Sequence, residues 1–168
     1  MAPAPGAEPA PGTVSTTRGR ATIMQGDRAK AYRPIPPSMR RAALAAGLHA
    51  YGRGEYFEAH ELLEPAWMGT ADLAERALYQ GLIKLAAGYV HAVRGNPIGF
   101  ARNLRGAREH LETSLRINPK VSLDAGIDAG ALLAEIEARL VVAATVAEEL
   151  AAGRGPLIEL LPEAPLVR

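Results

Sequence analysis

The sequence lacks cysteine, is poor in aromatic residues at 5% of 168 residues, and has no long apolar run. Without thiols, disulfides and thiolate metal sites are excluded. A helix that crosses a bilayer needs roughly 20 consecutive apolar residues, and the N-terminus has no apolar segment resembling a signal peptide. We therefore predict a cytoplasmic protein that does not engage a membrane.

Lysine is also scarce, since only three of the 19 basic residues are lysines. The charges are divided unevenly: residues 1–41 carry seven basic and two acidic groups, and residues 42–168 carry 12 basic and 16 acidic groups. The basic segment either engages an anionic partner or is a solvated arm attracted to its own domain. Because the acidic body has no basic face interleaved with aromatic residues, nucleic-acid binding is not expected.

The length predicts one compact domain flanked by two extensions. Residues 1–37 are rich in proline, alanine and glycine and have little apolar material to offset the entropy of ordering, so we expect them to be disordered and to lack regular secondary structure. The helical domain is expected at 38–155. The C-terminal extension, 156–168, carries apolar residues that we expect to lie back on the domain, namely Leu157, Ile158, Leu160 and Leu161.

Apolar residues recur with helical spacing through the domain and predict five main helices. Ser38, Thr70 and Asn96 are expected as N-caps, and Pro97 suits the first position of a helix. Pro65 removes a backbone donor, so we expect a kink or early fraying around 61–64. The predicted helices span about 38–52, 56–68, 71–94, 97–116 and 128–152.

Two glycine turns, at Gly54 and Gly95, lie 41 residues apart, and the helices that follow place Leu63 and Leu104 at equivalent positions. This repeat predicts an all-α helical bundle built from two antiparallel helix hairpins and a capping helix. The local pattern is similar to that of a tetratricopeptide repeat, although 41 residues exceed its ~34-residue period. The 71–94 helix is apolar around most of its circumference and is expected to be the buried central element.

The most distinctive stretch is 54–67, where a histidine and several carboxylates interrupt an otherwise apolar helix. At about 100° per residue, His60, Glu64 and Trp67 share one side of that helix. His60 is therefore expected to face inward, and Trp67 and Phe57 are expected in the core. The next helix carries a polar edge with the spacing i, i+4, i+11, formed by Gln80, Lys84 and His91.

Three motifs in this region resemble a known family. They are FEAHELLEPAW at 57–67, LYQGLIKLAAGYVH at 78–91 and RGNP at 94–97. Together they resemble the domain of unknown function family 309, whose members are small all-α proteins of bacteria and plastids. The resemblance covers about 42–115 and implies a helical bundle with no established activity. Lys84 stands where the family usually has glutamine.

The candidate residues support three interpretations. His60 and Glu64, one helical turn apart, could ligate a divalent metal cofactor together with His91, a set that suits Zn or Fe. Without metal, Glu64 and a histidine could act as a base and acid pair. Alternatively, the polar side chains form a satisfied network that fixes helix register. His49 and His110 are expected to be ordinary surface residues, and further binding residues are expected among Glu61, Trp67, Gln80 and Lys84.

A simple antiparallel hairpin places His60 level with Gln80 and puts His91 about two turns, or roughly 11 Å, beyond it. That count weakens the three-ligand metal site. We therefore predict a non-catalytic interaction or ligand-binding domain with a polar histidine, glutamate and glutamine cluster in its core and a protein or small-molecule partner. The alternative is a metal-dependent or acid–base hydrolase that uses His60, Glu64 and His91. The pattern predicts no oligomeric state.

Overall fold

A computed structural model describes residues 14–17, 20–25, 28–151, 163–165 and 167. The three strands are β1 Val14–Thr17, β2 Arg20–Gln25 and β3 Arg28–Ala31. The helices are α1 Pro37–Gly52, α2 Tyr56–Met68, α3 Leu73–Val93, α4 Pro97–Ile117, the single-turn α5 Val121–Asp124, and α6 Ala129–Ala151. The predicted all-α bundle of about five main helices is confirmed, with α5 as a short addition between α4 and α6.

Local capping chemistry sets the ends of the central helices. The Asn96 side chain accepts a hydrogen bond from the Gly99 N–H at 2.8 Å, with Pro97 at the first position of α4, as predicted. The predicted cap of α3 is wrong, because Asp72 rather than Thr70 accepts from the Glu75 N–H, at 2.7 Å. Thr70 instead bonds the residue that caps the helix: its hydroxyl accepts a hydrogen bond from the Asp72 N–H at 3.1 Å.

Helix α2 continues through Pro65 to Met68, so the early fraying predicted before this proline is not seen. Pro65 lies in the last turn and is exposed. A proline there removes only one hydrogen bond near a helix end, where several backbone groups lack helical partners in any case. The final turn of α2 therefore remains available to position side chains.

Helix α3 is the central element, as predicted, because both α2 and α4 pack against it. Its leucines Leu78 and Leu85 are completely buried. A Cβ added at Gly88 would lie 2.5 Å from Cδ1 of Leu104, and one added at Gly81 would lie 2.8 Å from Cγ of Leu111. The glycines of α3 thus permit α4 to approach closely.

The expectation that 1–37 lacks regular secondary structure is wrong for the described residues between 14 and 31. They form a three-stranded antiparallel sheet in the order β1-β2-β3, with Val14 opposite Ile23 and Thr22 opposite Ala31. The sequence contains the signal for it, because two-residue connections that include glycine separate the strands. The strands contact one another extensively and the helices only sparsely.

The predicted packing of Leu157, Ile158, Leu160 and Leu161 lies outside the described residues. Within the C-terminal extension, Ala164 and Val167 pack against the core. Of the helices that the structure describes, none combines the length and the apolar character needed to span a membrane.

The central position of α3 can be tested by unfolding two variants in urea. Leu85→Ala should lower the free energy of unfolding by about 2–5 kcal/mol, because it removes buried methyl groups and leaves a cavity. Arg102→Ala on the exposed side of α4 should stay within about 0.5 kcal/mol of the unchanged chain. Similar losses in both variants would show that the assignment of buried and exposed helix faces is incorrect.

Candidate functional site

A histidine and two carboxylates are clustered on the middle of α2. His60, Glu61 and Glu64 each offer a ligand atom, and these atoms all lie within 4.8 Å of one another. Nδ1 of His60 is 3.1 Å from Oε1 of Glu61. The side chain of His60 is 29% exposed and that of Glu64 is 22% exposed, so the cluster is open to solvent on one side.

Glu64 has a second partner that the sequence did not predict. Nζ of Lys30, on β3, forms an ion pair with Oε1 of Glu64. The same ammonium lies 5.5 Å from the centroid of the Trp67 ring, within the range of a cation–π interaction. Trp67 is only 1% exposed, so the prediction that it is buried is confirmed. One ammonium group is therefore bound between a carboxylate and an indole ring.

Phe57 is not in the core as predicted, because 62% of it is exposed. Its ring stacks on that of His60, with the centroids 6.5 Å apart and the planes inclined by 11°. His60 itself is half buried rather than fully inward. The outer side of α2 thus presents an aromatic pair beside the carboxylates of Glu61 and Glu64.

Lys84 and His91, two of the three residues on the polar edge of α3, lie against α4 and do not join this cluster. Nδ1 of His91 is 3.2 Å from Nδ2 of Asn96, and a Cβ added at Gly99 would lie 2.5 Å from the same ring nitrogen. The Lys84 stem lies against Gly106 of α4, 3.4 Å from an added Cβ. His91 is therefore not brought together with His60 and Glu64, which corrects the expected three-ligand arrangement.

Gln80 and His110 are two further polar residues whose positions the sequence analysis considered. Gln80 is buried on α3. His110, expected on the surface, is half buried on α4, where burial lowers its pKa and the nearby Lys84 charge acts in the same direction. The neutral imidazole is thus favoured at His110. The functional roles assigned to Gln80, Lys84 and His91 stay predictions.

A polar network that the sequence analysis missed joins α1 to α3 around Glu75. Its carboxylate accepts from Nε of Arg40 at 3.0 Å, from the Tyr79 hydroxyl at 2.9 Å and from the Thr70 hydroxyl at 2.5 Å. Burial acts to raise the pKa of Glu75, but the hydrogen bonds from Thr70, Arg40 and Tyr79 outweigh it and the pKa lies below its ordinary value. A satisfied carboxylate of this kind fixes helix register.

A second missed cluster lies where Arg139 of α6 meets Tyr89 of α3. Nε of Arg139 donates to the hydroxyl of Tyr89 at 3.1 Å and to the carbonyl of Glu163 at 3.1 Å. Burial raises the pKa of Tyr89 to about 12, although the Arg139 charge acts against it. Beside this arginine is a cavity of about 520 Å³, lined by Asp128, Ala131, Glu135, Arg139, Glu163, Ala164 and Pro165. The sequence signal was an arginine between Ile136 and Ala143 on the apolar face of α6.

The fold is thus an all-α bundle whose second helix carries a carboxylate, that of Glu64, paired with Lys30. Residues 44–103 match the family model described as Domain of unknown function (DUF309). The predicted resemblance to that family is confirmed. The matched segment includes all of α2 and α3, and hence Glu64 and Trp67, but it does not include Lys30. No curated protein and no solved structure matches the chain.

The network around Glu75 predicts a defined pH dependence. Because the folded pKa lies below the ordinary value of 4.5, the ionised form contributes stability above that pH, and the contribution is lost as the pH falls through the folded pKa. Glu75→Gln should therefore cost on the order of 1–3 kcal/mol at pH 7. The deficit should shrink below pH 4.5 in urea unfolding experiments.

Glu112→Gln, at an exposed carboxylate of α4, is the matched control and should change stability little at any pH. A deficit for Glu75→Gln that is equal at pH 7 and under acid conditions would contradict the assigned role of the carboxylate.

Proposed function

We propose that the protein is a non-catalytic binding domain whose site on α2 takes a primary ammonium group. The observation that carries this proposal is the position of Lys30, whose Nζ pairs with Glu64 and lies 5.5 Å above the ring of Trp67. The chain itself thus supplies an example of the ligand chemistry.

The physical environment of Glu64 favours a cation there. Its side chain is only 22% exposed, so its charge is partly desolvated and needs a countercharge. Glu64 is also in the last turns of α2, where the helix dipole presents its negative end. An indole face adds attraction for a cation and none for an anion. These three effects act in the same direction, which supports an ammonium ligand.

The same contacts favour binding over acid–base chemistry. The carboxylate of Glu64 is engaged by an ammonium, and the imidazole of His60 is paired with Glu61. The hydrolase hypothesis needs His91 as well, and His91 lies at the corner between α3 and α4. The ammonium site needs no residue beyond Glu64 and Trp67 of the domain.

A divalent metal is the second candidate ligand, and the spacing of the α2 cluster favours it. Ligand atoms of His60, Glu61 and Glu64 within 4.8 Å of one another provide one nitrogen and two oxygen donors. Imidazole and carboxylate groups together suit zinc and manganese. Lys30 would compete with such a metal, because both use the carboxylate of Glu64.

Ammonium binding can be measured through Trp67, the one tryptophan of the sequence. In full-length Lys30→Ala, N-acetyl-lysine methylamide should produce a saturable change in tryptophan fluorescence at millimolar concentrations. The unchanged chain should respond several-fold more weakly, because its own lysine has a high effective concentration at the site. Adding Glu64→Gln to the variant should remove the response.

Lys120→Ala, which removes an exposed lysine, is the matched control and should respond like the unchanged chain. N-acetyl-norleucine methylamide has a similar apolar stem without the charge. An equal response to the norleucine compound would reject the ammonium proposal.

Metal binding is tested by titrating Mn²⁺ and Zn²⁺ into the same proteins by calorimetry. If the α2 cluster binds metal, Lys30→Ala should bind about three- to fivefold more tightly than the unchanged chain, since a competing cation worth up to about 1 kcal/mol is removed. His60→Ala should lose most of the affinity. Equal affinities in His60→Ala and the unchanged chain would place any bound metal elsewhere.

A further inference from the structure

We infer that the ligand of this site is an extended peptide with a lysine, a tyrosine and a branched apolar residue in the spacing of Lys30, Tyr32 and Ile35. Residues 30–35 of the chain occupy the site as an intramolecular ligand of that class. This inference rests on the proposed function and extends it from one ammonium group to a peptide. We call the receiving surface, formed by Glu64, Trp67, Met68 and Gly69, the α2 groove.

Backbone hydrogen bonds hold the segment in the α2 groove. The Arg33 N–H donates to the carbonyl of Met68 at 3.0 Å, and the Ile35 N–H donates to the carbonyl of Gly69 at 3.2 Å. Carbonyl groups at the end of a helix lack partners within the helix, so they are ready acceptors. Pro34, between the two donors, has no N–H to leave unsatisfied. Such bonds would be available to any extended peptide.

Three side chains of the segment add specificity to these backbone bonds. Lys30 provides the ammonium for Glu64 and Trp67, and the half-buried Tyr32 packs against the hydrophobic core. Ile35 fits against Gly69, where an added Cβ would lie 2.5 Å from its Cγ1. Backbone bonding combined with side-chain pockets is a recurrent mode of recognition of extended peptides.

Arg40 of α1 binds the C-terminal end of the segment, at Ile35. Nη1 of Arg40 donates to the carbonyl of Ile35 at 2.7 Å, while its Nε remains bound to Glu75 at 3.0 Å. Because Glu75 holds the guanidinium in place from the side of α3, the donor is already oriented for a peptide carbonyl. Preorganised donors of this kind reduce the entropy cost of binding.

Three observations support exchange of this segment for a peptide in trans. The sheet that carries Lys30 has few contacts with the helices, so the attachment depends mainly on residues 30–35. The side chains of Lys30 and Glu64 are 34% and 22% exposed, and pairs accessible to solvent are worth only about 0–1 kcal/mol. The family match contains the α2 groove and leaves out the segment that fills it.

The test uses the full chain with its own segment weakened. The first variant carries Lys30→Ser, Tyr32→Ser and Ile35→Ser, and Lys30→Ala alone is the second variant should the first fail to fold by circular dichroism. The probe is a capped, fluorescein-labelled peptide with the sequence of 28–36, followed by anisotropy. It should bind the triple variant at least tenfold more tightly than the unchanged chain, and Lys30→Ala by a smaller factor.

Two modified peptides separate the inference from the proposed function. A peptide with norleucine in place of lysine should lose at least fivefold in affinity. An unchanged affinity would overturn the ammonium proposal.

A peptide methylated on the nitrogens corresponding to Arg33 and Ile35 should bind at least tenfold more weakly. If it binds as well as the unmodified peptide while N-acetyl-lysine methylamide still binds, the ammonium site stands and the peptide groove is rejected. Equal affinity of the unmodified peptide for the unchanged chain and both variants would overturn the intramolecular occupancy.

Discussion

The close approach of α4 to the glycine side of α3 is the constraint on which the rest of the arrangement depends. Added Cβ atoms at Gly81 and Gly88 would come within 2.8 Å and 2.5 Å of leucine side chains on α4. Because α4 lies so near the glycine side of α3, the side chains of Lys84 and His91 on α3 also contact α4. Helix α2 also packs against α3. Glu64 of α2 takes its countercharge from outside this pair of helices, from Lys30 on β3.

The countercharge of Glu64 is Lys30 of the N-terminal sheet, so the cation at this position is an ammonium group. Lys30 is one of only three lysines in the sequence, and its compact ammonium fits between a carboxylate and an indole ring. An arginine would present a broader planar group with several donors that the α2 site would have to satisfy. The ammonium therefore suits both Glu64 and the face of Trp67.

Local signals explain what the sequence predicted well. Asn96 and Pro97 fix the start of α4, and Gly54 and Gly95 adopt the positive φ values, 78° and 69°, that suit the two turns. Those features depend on neighbours along the chain. The missed features depend on distant partners: Lys30 and Glu64 are 34 residues apart, and Arg139 and Tyr89 are 50 residues apart. Helical spacing determines which residues share a face, but not which element covers that face.

The two proposed ligands of α2, an ammonium group and a divalent metal, would be coupled because both would use Glu64. A metal held by His60, Glu61 and Glu64 would weaken the binding of Lys30 to Glu64. Because linkage between two sites is reciprocal, Lys30 would lower the affinity for the metal by the same factor. An ion pair accessible to solvent is worth about 0–1 kcal/mol, which limits this coupling to about fivefold. The backbone bonds from Arg33 and Ile35 do not involve Glu64 and would persist. A metal would therefore loosen the lysine end of the segment without releasing the whole segment.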